Sequence, residues 1–421
     1  MELPWNLSRL RQMVTQLFLL RPWKCGGKCV ALTQLFFTLD THYERPIQIP
    51  RTRAEVDRSC SGKGRVGPQR MNSLTRRRFL IHGSTATAAA MLPPFFLQTS
   101  SKSGSRLPLI GSGVHTYECV HDWLVPPDGL VWGDTHGLAQ DEQGNIYVAH
   151  TVNKSSMRGE AVVVYDSSGR FVRAFGEEFR GGAHGLGVRR EKDAEVLYHC
   201  DINQCKVTKT TLNGDSLWAH GYPREDPAYA GRPIDFVPTN VAFAPNGDFY
   251  VGDGYGSHHL LRFSSDGKFL GEVGRPGHGD GEFDTPHGLF LDPRGGDPVL
   301  VVADRGNRRV QTFSLDGSHL RTIKDEPRLR MPCHFHTQGE WMVCPDLDSQ
   351  VCILDRDYKV VMQLGDGRAS NGEVGSRRRQ SRNEFTPGQF ITPHAAIFLH
   401  NGNILVAEWL PIGRITLLRR V

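Results

Sequence analysis

The chain has 421 residues, of which 23% are charged and 38% hydrophobic. The first hundred residues carry 15 Lys and Arg against 5 Asp and Glu, and the rest carry 35 against 40, a formal net charge of −5. The larger part of the chain therefore lacks the basic surface that a nucleic-acid-binding protein needs. No run of about 18 or more apolar residues occurs, so no transmembrane span is predicted.

The first hundred residues contain no helix or strand pattern, but they do contain a candidate export signal. Thr75–Leu80 includes three consecutive arginines, and a mildly apolar stretch follows from Ile81 to Leu97. Paired arginines before a weakly hydrophobic core are typical of a twin-arginine signal, which would make the protein periplasmic or extracellular. A chance arginine cluster in a disordered tail is the alternative.

Met71 lies five residues before Arg76, where a start codon for such a signal is expected. We therefore expect residues 1–70 to be disordered and to belong to an over-extended gene model. Residues 71–100 are predicted to be the signal peptide, 101–114 a linker, and 115–421 the folded domain.

The folded domain repeats with a period of about 50 residues, which indicates a propeller or a solenoid. Each repeat opens on a tetrapeptide such as Pro286–Leu289, continues through a Gly- or Asn-containing turn, and then alternates polar and apolar residues. Four antiparallel strands in each repeat would make one propeller blade. The six openings lie at 135–138, 183–186, 239–242, 286–289, 332–335 and 393–396.

The last repeat ends after three strands, at Ile415–Leu418. Thr116–Trp123 is predicted to supply the missing fourth strand, because closing the ring in this way removes an exposed sheet edge. The predicted fold class is therefore all-β, a six-bladed β-propeller closed by an N-terminal strand and preceded by a disordered or signal region.

Two features of the repeats leave alternatives open. Cys200 with Cys205, and Cys333 with Cys344, could form disulfides in an exported protein or could be small buried hydrophobic residues. The long connection 366–389 carries Arg377, Arg378, Arg379 and Arg382. It could attract an anionic substrate, or it could be a solvated run of charge.

The second residue of each opening is expected to face the central channel, because the first strand of a blade is the innermost one. Blades two, four and six contribute histidines there, and alternate blades of six are about 120° apart. Three neutral imidazoles around one divalent ion leave a position open, as in a catalytic zinc site. Polar residues that only wet a solvent-filled channel are the alternative. The six positions are His136, His184, Asn240, His287, Cys333 and His394.

Several segments resemble the NHL-repeat propellers: DGYGS at 253–257, PHGL at 286–289 and ADRGN at 303–307. This resemblance covers the whole of 115–421. Among these propellers the sequence is most similar to the peptidyl-alpha-hydroxyglycine alpha-amidating lyases, above all between Pro238 and Phe313.

The lyase resemblance implies an activity and a site. In that family three histidines from alternate blades hold zinc, and the matching residues are His184, His287 and His394. Tyr255 matches the proposed base, and Arg305 matches an arginine near the substrate. The implied reaction cleaves the N–C bond of a small, peptide-derived carbinolamide and releases a primary amide and glyoxylate.

The sequence departs from the lyase pattern at three positions. Thr151 replaces a second active-site arginine, which makes Arg158 in the following loop a candidate substrate contact. Thr392 replaces a methionine, and Ala395 replaces an aspartate associated with calcium, so calcium has little support. The remaining ring residues are assigned by position alone: Asn240 as a weak substrate contact, and His136 and Cys333 as supporting groups or extra ligands.

Other interpretations of these residues stand beside the lyase hypothesis. Tyr255 could only cap a blade, Arg305 could only form a turn, and the acidic residues Asp253, Asp304 and Asp346 are predicted to be structural. The domain could be a non-catalytic propeller that binds a protein, glycan or peptide on one face. A sugar-lactone hydrolase is a third hypothesis, but it would need a carboxylate-rich calcium site.

Overall fold

The structure is a computed structural model that describes residues 107–192, 194–224, 229, 236–371 and 373–421. The predicted disordered segment, the predicted signal peptide and residues 101–106 of the predicted linker lie outside these residues. None of the helices in the described part is long and apolar enough to cross a membrane.

The described residues form a six-bladed propeller, as predicted. Each blade is an antiparallel sheet, and in blades one to five the strands follow chain order. The alternation of short strands with Gly-containing turns produces this topology. The strands of blades one to three are β3 Thr135–Gln140, β4 Ile146–His150, β5 Val162–Tyr165, β6 Phe171–Phe175, β7 Ala183–Glu191, β8 Ala194–Asp201, β9 Lys206–Thr211, β10 Ser216–His220, β11 Asn240–Phe243, β12 Phe249–Gly252, β13 Leu260–Phe263 and β14 Phe269–Val273.

Blades four and five complete the set of four-stranded sheets. A short parallel pair, β15 Arg275–Pro276 and β16 Glu282–Phe283, precedes blade four. The strands of the two blades are β17 Pro286–Asp292, β18 Val299–Asp304, β19 Arg309–Phe313, β20 His319–Ile323, β21 His336–Gln338, β22 Trp341–Asp346, β23 Gln350–Leu354 and β24 Val360–Leu364.

Blade six is closed by the N-terminal part of the domain, as predicted. Its own strands are β25 Pro393–Phe398, β26 Ile404–Glu408 and β27 Arg414–Arg420, and β2 His115–Val120 pairs antiparallel with β27. The structure adds a fifth strand that the sequence analysis did not predict. This strand, β1 Leu109–Ser112, pairs with β2 and lies in the segment predicted to be a linker.

The cysteines form no disulfides in the described residues. Cys200, Cys205, Cys333 and Cys344 are all free, and only Cys205 is not fully buried. Burial raises the pKa of the Cys344 thiol well above its usual range. The interpretation as small buried hydrophobic groups therefore holds for Cys200, Cys333 and Cys344, whereas Cys205 is only partly buried.

One buried hydrogen-bond acceptor recurs at the end of the second strand of every blade. Asp253 accepts the backbone N–H of Val237 at 2.6 Å, and Asp304 accepts that of Asp284 at 2.8 Å. Each of these bonds fixes the chain just before it enters the innermost strand, as the structural interpretation of the acidic residues predicts. The six acceptors, all with 0% exposure, are His150, Asp201, Asp253, Asp304, Asp346 and Glu408.

Blade one uses an imidazole where four of the other blades use aspartate. His150 Nδ1 accepts the N–H groups of Gly133 at 3.3 Å and Val152 at 3.1 Å. Burial lowers the pKa of His150 to about 3, so the ring stays neutral and can accept these bonds. In blade two a Cβ on Gly182 would lie 1.9 Å from Asp201 Oδ1, so only glycine fits beside that carboxylate.

The acceptor in blade six, Glu408, forms a buried ion pair with Arg414, and the two side chains are 0% and 1% exposed. Arg414→Leu leaves this carboxylate without its countercharge, so we expect the free energy of unfolding in urea to fall by about 3–5 kcal/mol. The control is Arg170→Leu, which removes an arginine that is 82% exposed and should change stability little. Equal effects of the two substitutions would contradict this role for the buried pair.

Candidate metal centre

Four of the six residues that were predicted to face the central channel are histidines, and their imidazole rings lie close together there. The ring of His184 lies 5.0 Å from that of His287 and 4.8 Å from that of His394, centroid to centroid, and the rings of His287 and His394 are 4.6 Å apart. His136 joins them at 4.7 Å from both His184 and His394. All four side chains are buried, with exposures between 1% and 5%.

Three of these histidines are oriented by the same hydrogen bond. Their Nδ1 atoms lie 2.7, 2.8 and 3.1 Å from the carbonyl oxygens of the next blade, which belong to Thr239, Cys333 and His136. A carbonyl oxygen can only accept, so Nδ1 carries the proton and Nε2 keeps its lone pair. This is the tautomer that a metal-binding histidine needs. The three residues are His184, His287 and His394.

The Nε2 atoms have different surroundings. Within the described residues, His394 Nε2 is buried without a hydrogen-bond partner, and so is Nδ1 of His136. Buried polar atoms of this kind are uncommon and call for a partner such as an ion. One ligand atom from each of His136, His184 and His394 lies within 4.8 Å of the others. The donor set therefore fits a metal ion.

The histidines are neutral at neutral pH. Burial lowers the pKa of His184, His287 and His394 well below its usual range, and the positive charge of Arg305 acts in the same direction. Burial also lowers the pKa of His136 to about 3. Neutral imidazole is the form that binds transition metals.

Tyr255 and Arg305 both lie beside this cluster. The hydroxyl oxygen of Tyr255 is 3.3 Å from His184 Nε2 and 3.0 Å from His287 Nε2. Arg305 Nη2 donates to the same oxygen at 3.1 Å, and Arg305 Nη1 lies 3.7 Å from Cys333 Sγ. Because 39% of Tyr255 is exposed, this residue lies between the buried histidines and solvent.

The remaining predicted site residues divide into two groups. Asn240, Cys333 and three of the histidines line one pocket, together with neighbouring backbone of the inner strands. Burial raises the pKa of the Cys333 thiol, although the charge of Arg305 opposes this. The structure gives Arg158 a different environment, since its Nε donates to Glu160 Oε1 at 3.1 Å. Its predicted role as a substrate contact has no support from this geometry.

The basic connection before blade six contains the residues that sequence reasoning missed. It includes two short helices, α1 Arg368–Asn371 and α2 Val374–Arg377, and one 3-10 turn, Arg382–Glu384. Arg377 is buried and donates to Asp348 Oδ1 at 2.8 Å. For this residue the interpretation as solvated charge is wrong, because a folded helix places it against the propeller.

Arg378, the next residue, also packs against the propeller and lies closer to the histidine cluster. Its Nη2 donates to Asp134 Oδ1 at 2.7 Å, and its guanidinium lies 3.3 Å from the centroid of the Trp409 ring. Asp134 is two residues before His136, and after burial the charge of Arg378 is the next largest cause of the lowered pKa of His136. The run of three arginines was the only signal in the sequence, and it did not distinguish the inward residues from the exposed Arg379.

Comparisons with known proteins agree with the predicted resemblance. The family model described as 6-bladed beta-propeller matches residues 238–344. The chain is 27% identical over 265 residues to a probable peptidyl-alpha-hydroxyglycine alpha-amidating lyase of Caenorhabditis elegans, covering 56% of this chain and 73% of that protein. It is 26% identical over 339 residues to peptidyl-alpha-hydroxyglycine alpha-amidating lyase 1 of Drosophila melanogaster, covering 71% and 59%.

A third relative is named only for its repeats. The chain is 28% identical over 205 residues to the human NHL repeat-containing protein 3, covering 46% of this chain and 55% of that protein. The chain thus spans less than two thirds of the fly and human relatives. The predicted similarity to NHL-repeat propellers and to amidating lyases is confirmed.

The buried histidines predict a loss of stability in mild acid. Burial lowers the pKa of His150, His199 and His336 to about 3, from the usual histidine value of about 6.5. Between these two values the unfolded chain binds protons that the folded protein does not, so stability falls as the pH falls below 6.5. The expected slope is about 1.4 kcal/mol per pH unit for each such histidine.

Urea unfolding between pH 7 and pH 5, in the presence of a chelator, measures this slope. His199→Gln should reduce it, because His199 lies outside the metal cluster and stacks on Phe179 at 4.5 Å. His278→Gln, at an exposed position, is the matched control. Stability that does not change with pH over this range would contradict the prediction.

Proposed function

We propose that the protein is a zinc-dependent carbon–nitrogen lyase that converts a peptidyl-α-hydroxyglycine carbinolamide into a primary amide and glyoxylate. The single observation that carries this proposal is the position of the Tyr255 hydroxyl, which lies within 3.3 Å of two imidazoles and of the Arg305 guanidinium. Relatives named as amidating lyases supply the substrate class.

His184, His287 and His394 would hold the zinc ion through Nε2. Their Nδ1 atoms are already committed to backbone carbonyls of the neighbouring blades. A set of imidazoles without carboxylates favours zinc over calcium or magnesium. When bound, zinc makes the hydroxyl of a substrate more acidic.

Tyr255 would move the proton in this reaction. The carbinol hydroxyl must lose a proton while the C–N bond breaks, and the departing amide nitrogen must gain one. The phenolate form of Tyr255, beside the substrate hydroxyl, would accept the first proton and return it to nitrogen, so the reaction needs no other proton source. Arg305 stabilises negative charge on this oxygen, because its guanidinium donates to it at 3.1 Å.

Tyr255→Phe tests the assignment. The ring and its packing remain, but the proton acceptor is lost, so we expect kcat to fall by about 10²–10⁴-fold with zinc content unchanged. Glyoxylate released from N-benzoyl-α-hydroxyglycine is the measurement. Tyr222→Phe is the control, because Tyr222 packs against Tyr229 rather than against the histidines.

Two results would count against the proposal in different ways. Wild-type activity in Tyr255→Phe would exclude Tyr255 as the base. A zinc-loaded wild-type protein that releases no glyoxylate would instead favour a non-catalytic propeller that binds its ligand at the same histidines.

We also propose that the protein is exported through the twin-arginine pathway, on the basis of Thr75–Leu80 and the apolar stretch that follows it. Replacing both Arg76 and Arg77 with lysine should retain the protein, expressed from Met71, in the bacterial cytoplasm. Cell fractionation measures this. Arg78→Lys is the matched control and should leave export unchanged, and export of the double variant would contradict the proposal.

A further inference from the structure

Resting on the proposed metal site, we propose that His136 is an additional metal ligand. The centre then consists of two overlapping sets of three imidazoles that share His184 and His394. His287 completes one set, and His136 completes the other. The ligand class is a divalent transition metal of the zinc or cobalt type, because every donor is an imidazole nitrogen.

The ring spacings make the two sets nearly equivalent. In the set with His287 the ring centroids are 4.6 to 5.0 Å apart, and in the set with His136 they are 4.7 to 4.8 Å apart. Imidazoles that share an ion with Zn–N bonds of about 2.0–2.1 Å must approach to spacings of this order. The ring spacing therefore excludes neither set, and the ligand atoms that lie within 4.8 Å of one another are those of His136, His184 and His394.

The hydrogen bonds of His136 differ from those of the other three histidines. The His136 residue is 5% exposed, and its buried Nδ1 has no hydrogen-bond partner among the described residues. The other three Nδ1 atoms are all held by carbonyl oxygens. His136 is thus the one of the four whose Nδ1 has no partner within hydrogen-bond distance, and an ion bound at this nitrogen would supply one.

The backbone holds His136 in place for this role. Its carbonyl oxygen is the acceptor for His394 Nδ1 at 3.1 Å, so the ligand in blade six is tied directly to the residue in blade one. The pocket in the channel is lined by His136, His184 and His394. The space for an ion is therefore on the His136 side of the cluster.

His287 has a competing partner that His136 lacks. The Tyr255 hydroxyl lies 3.0 Å from His287 Nε2, which is within hydrogen-bond distance. An ion in contact with the His136 set would keep three imidazoles while His287 remains bonded to Tyr255. His136 and His287 should then each be dispensable for holding the ion, whereas the two shared histidines should not.

The experiment measures metal retention in single and double alanine variants. Each protein is loaded with Zn²⁺, dialysed against a chelator and analysed for zinc, and the Co²⁺-loaded forms are compared by visible absorption. His184→Ala should lose the metal. His136→Ala and His287→Ala should each keep about one zinc with at least tenfold weaker affinity, because two shared ligands and one further imidazole remain. The double variant should lose it.

The Co²⁺ spectrum gives a readout that does not depend on activity. Cobalt bands report the number and geometry of ligands, so His136→Ala should shift them if His136 binds the ion. If His136→Ala fails to fold, His136→Gln keeps most of the side-chain volume and takes its place. Circular dichroism and urea unfolding check that each variant remains folded.

The outcomes separate this inference from the proposed function. If His287→Ala loses zinc as completely as His184→Ala, while His136→Ala matches the wild type in affinity and cobalt spectrum, His136 is not a ligand and only this inference fails. If the wild type retains neither zinc nor cobalt, the proposed function fails as well. Retention in both single variants and loss in the double variant would establish the two sets.

Discussion

The geometry of the channel depends on a buried acceptor at the end of the second strand of each blade. In blades three to six a carboxylate takes a backbone N–H from the residues just before the innermost strand, and in blade one His150 does so. Because an unpaired buried N–H is costly, this bond fixes where the innermost strand begins. In these five blades the second residue of the opening is fixed with it, and in blades one, four and six that residue is a histidine of the site.

A second set of bonds joins the blades at the ring. Nδ1 of His184, His287 and His394 reaches the carbonyl of the following blade, so alternate blade interfaces are held by a side chain that also belongs to the site. Because these bonds use Nδ1, they leave Nε2 of each ring free to face the channel. Stability of the ring and orientation of the candidate ligands therefore come from one interaction.

The sequence could predict the blades and most of the site because both follow from local patterns. The openings set the ring positions, and the acidic residues after the second strands marked the structural bonds. Two things depended on contacts that no local pattern encodes. The packing of Arg377 and Arg378 against the propeller requires partners far away in the chain, Asp348 and Asp134 among them. The extra strand β1 is visible only through its pairing with β2.

The bond between His394 and the carbonyl of His136 joins residues that are 258 positions apart, across the seam where blade six meets blade one. A metal ion bound by residues on both sides of this seam would cross-link blade six to blade one. Binding would then favour the closed ring over any opened form by its own binding free energy, as mass action requires. Metal binding and closure of the propeller ring would then be thermodynamically linked, so that each favours the other.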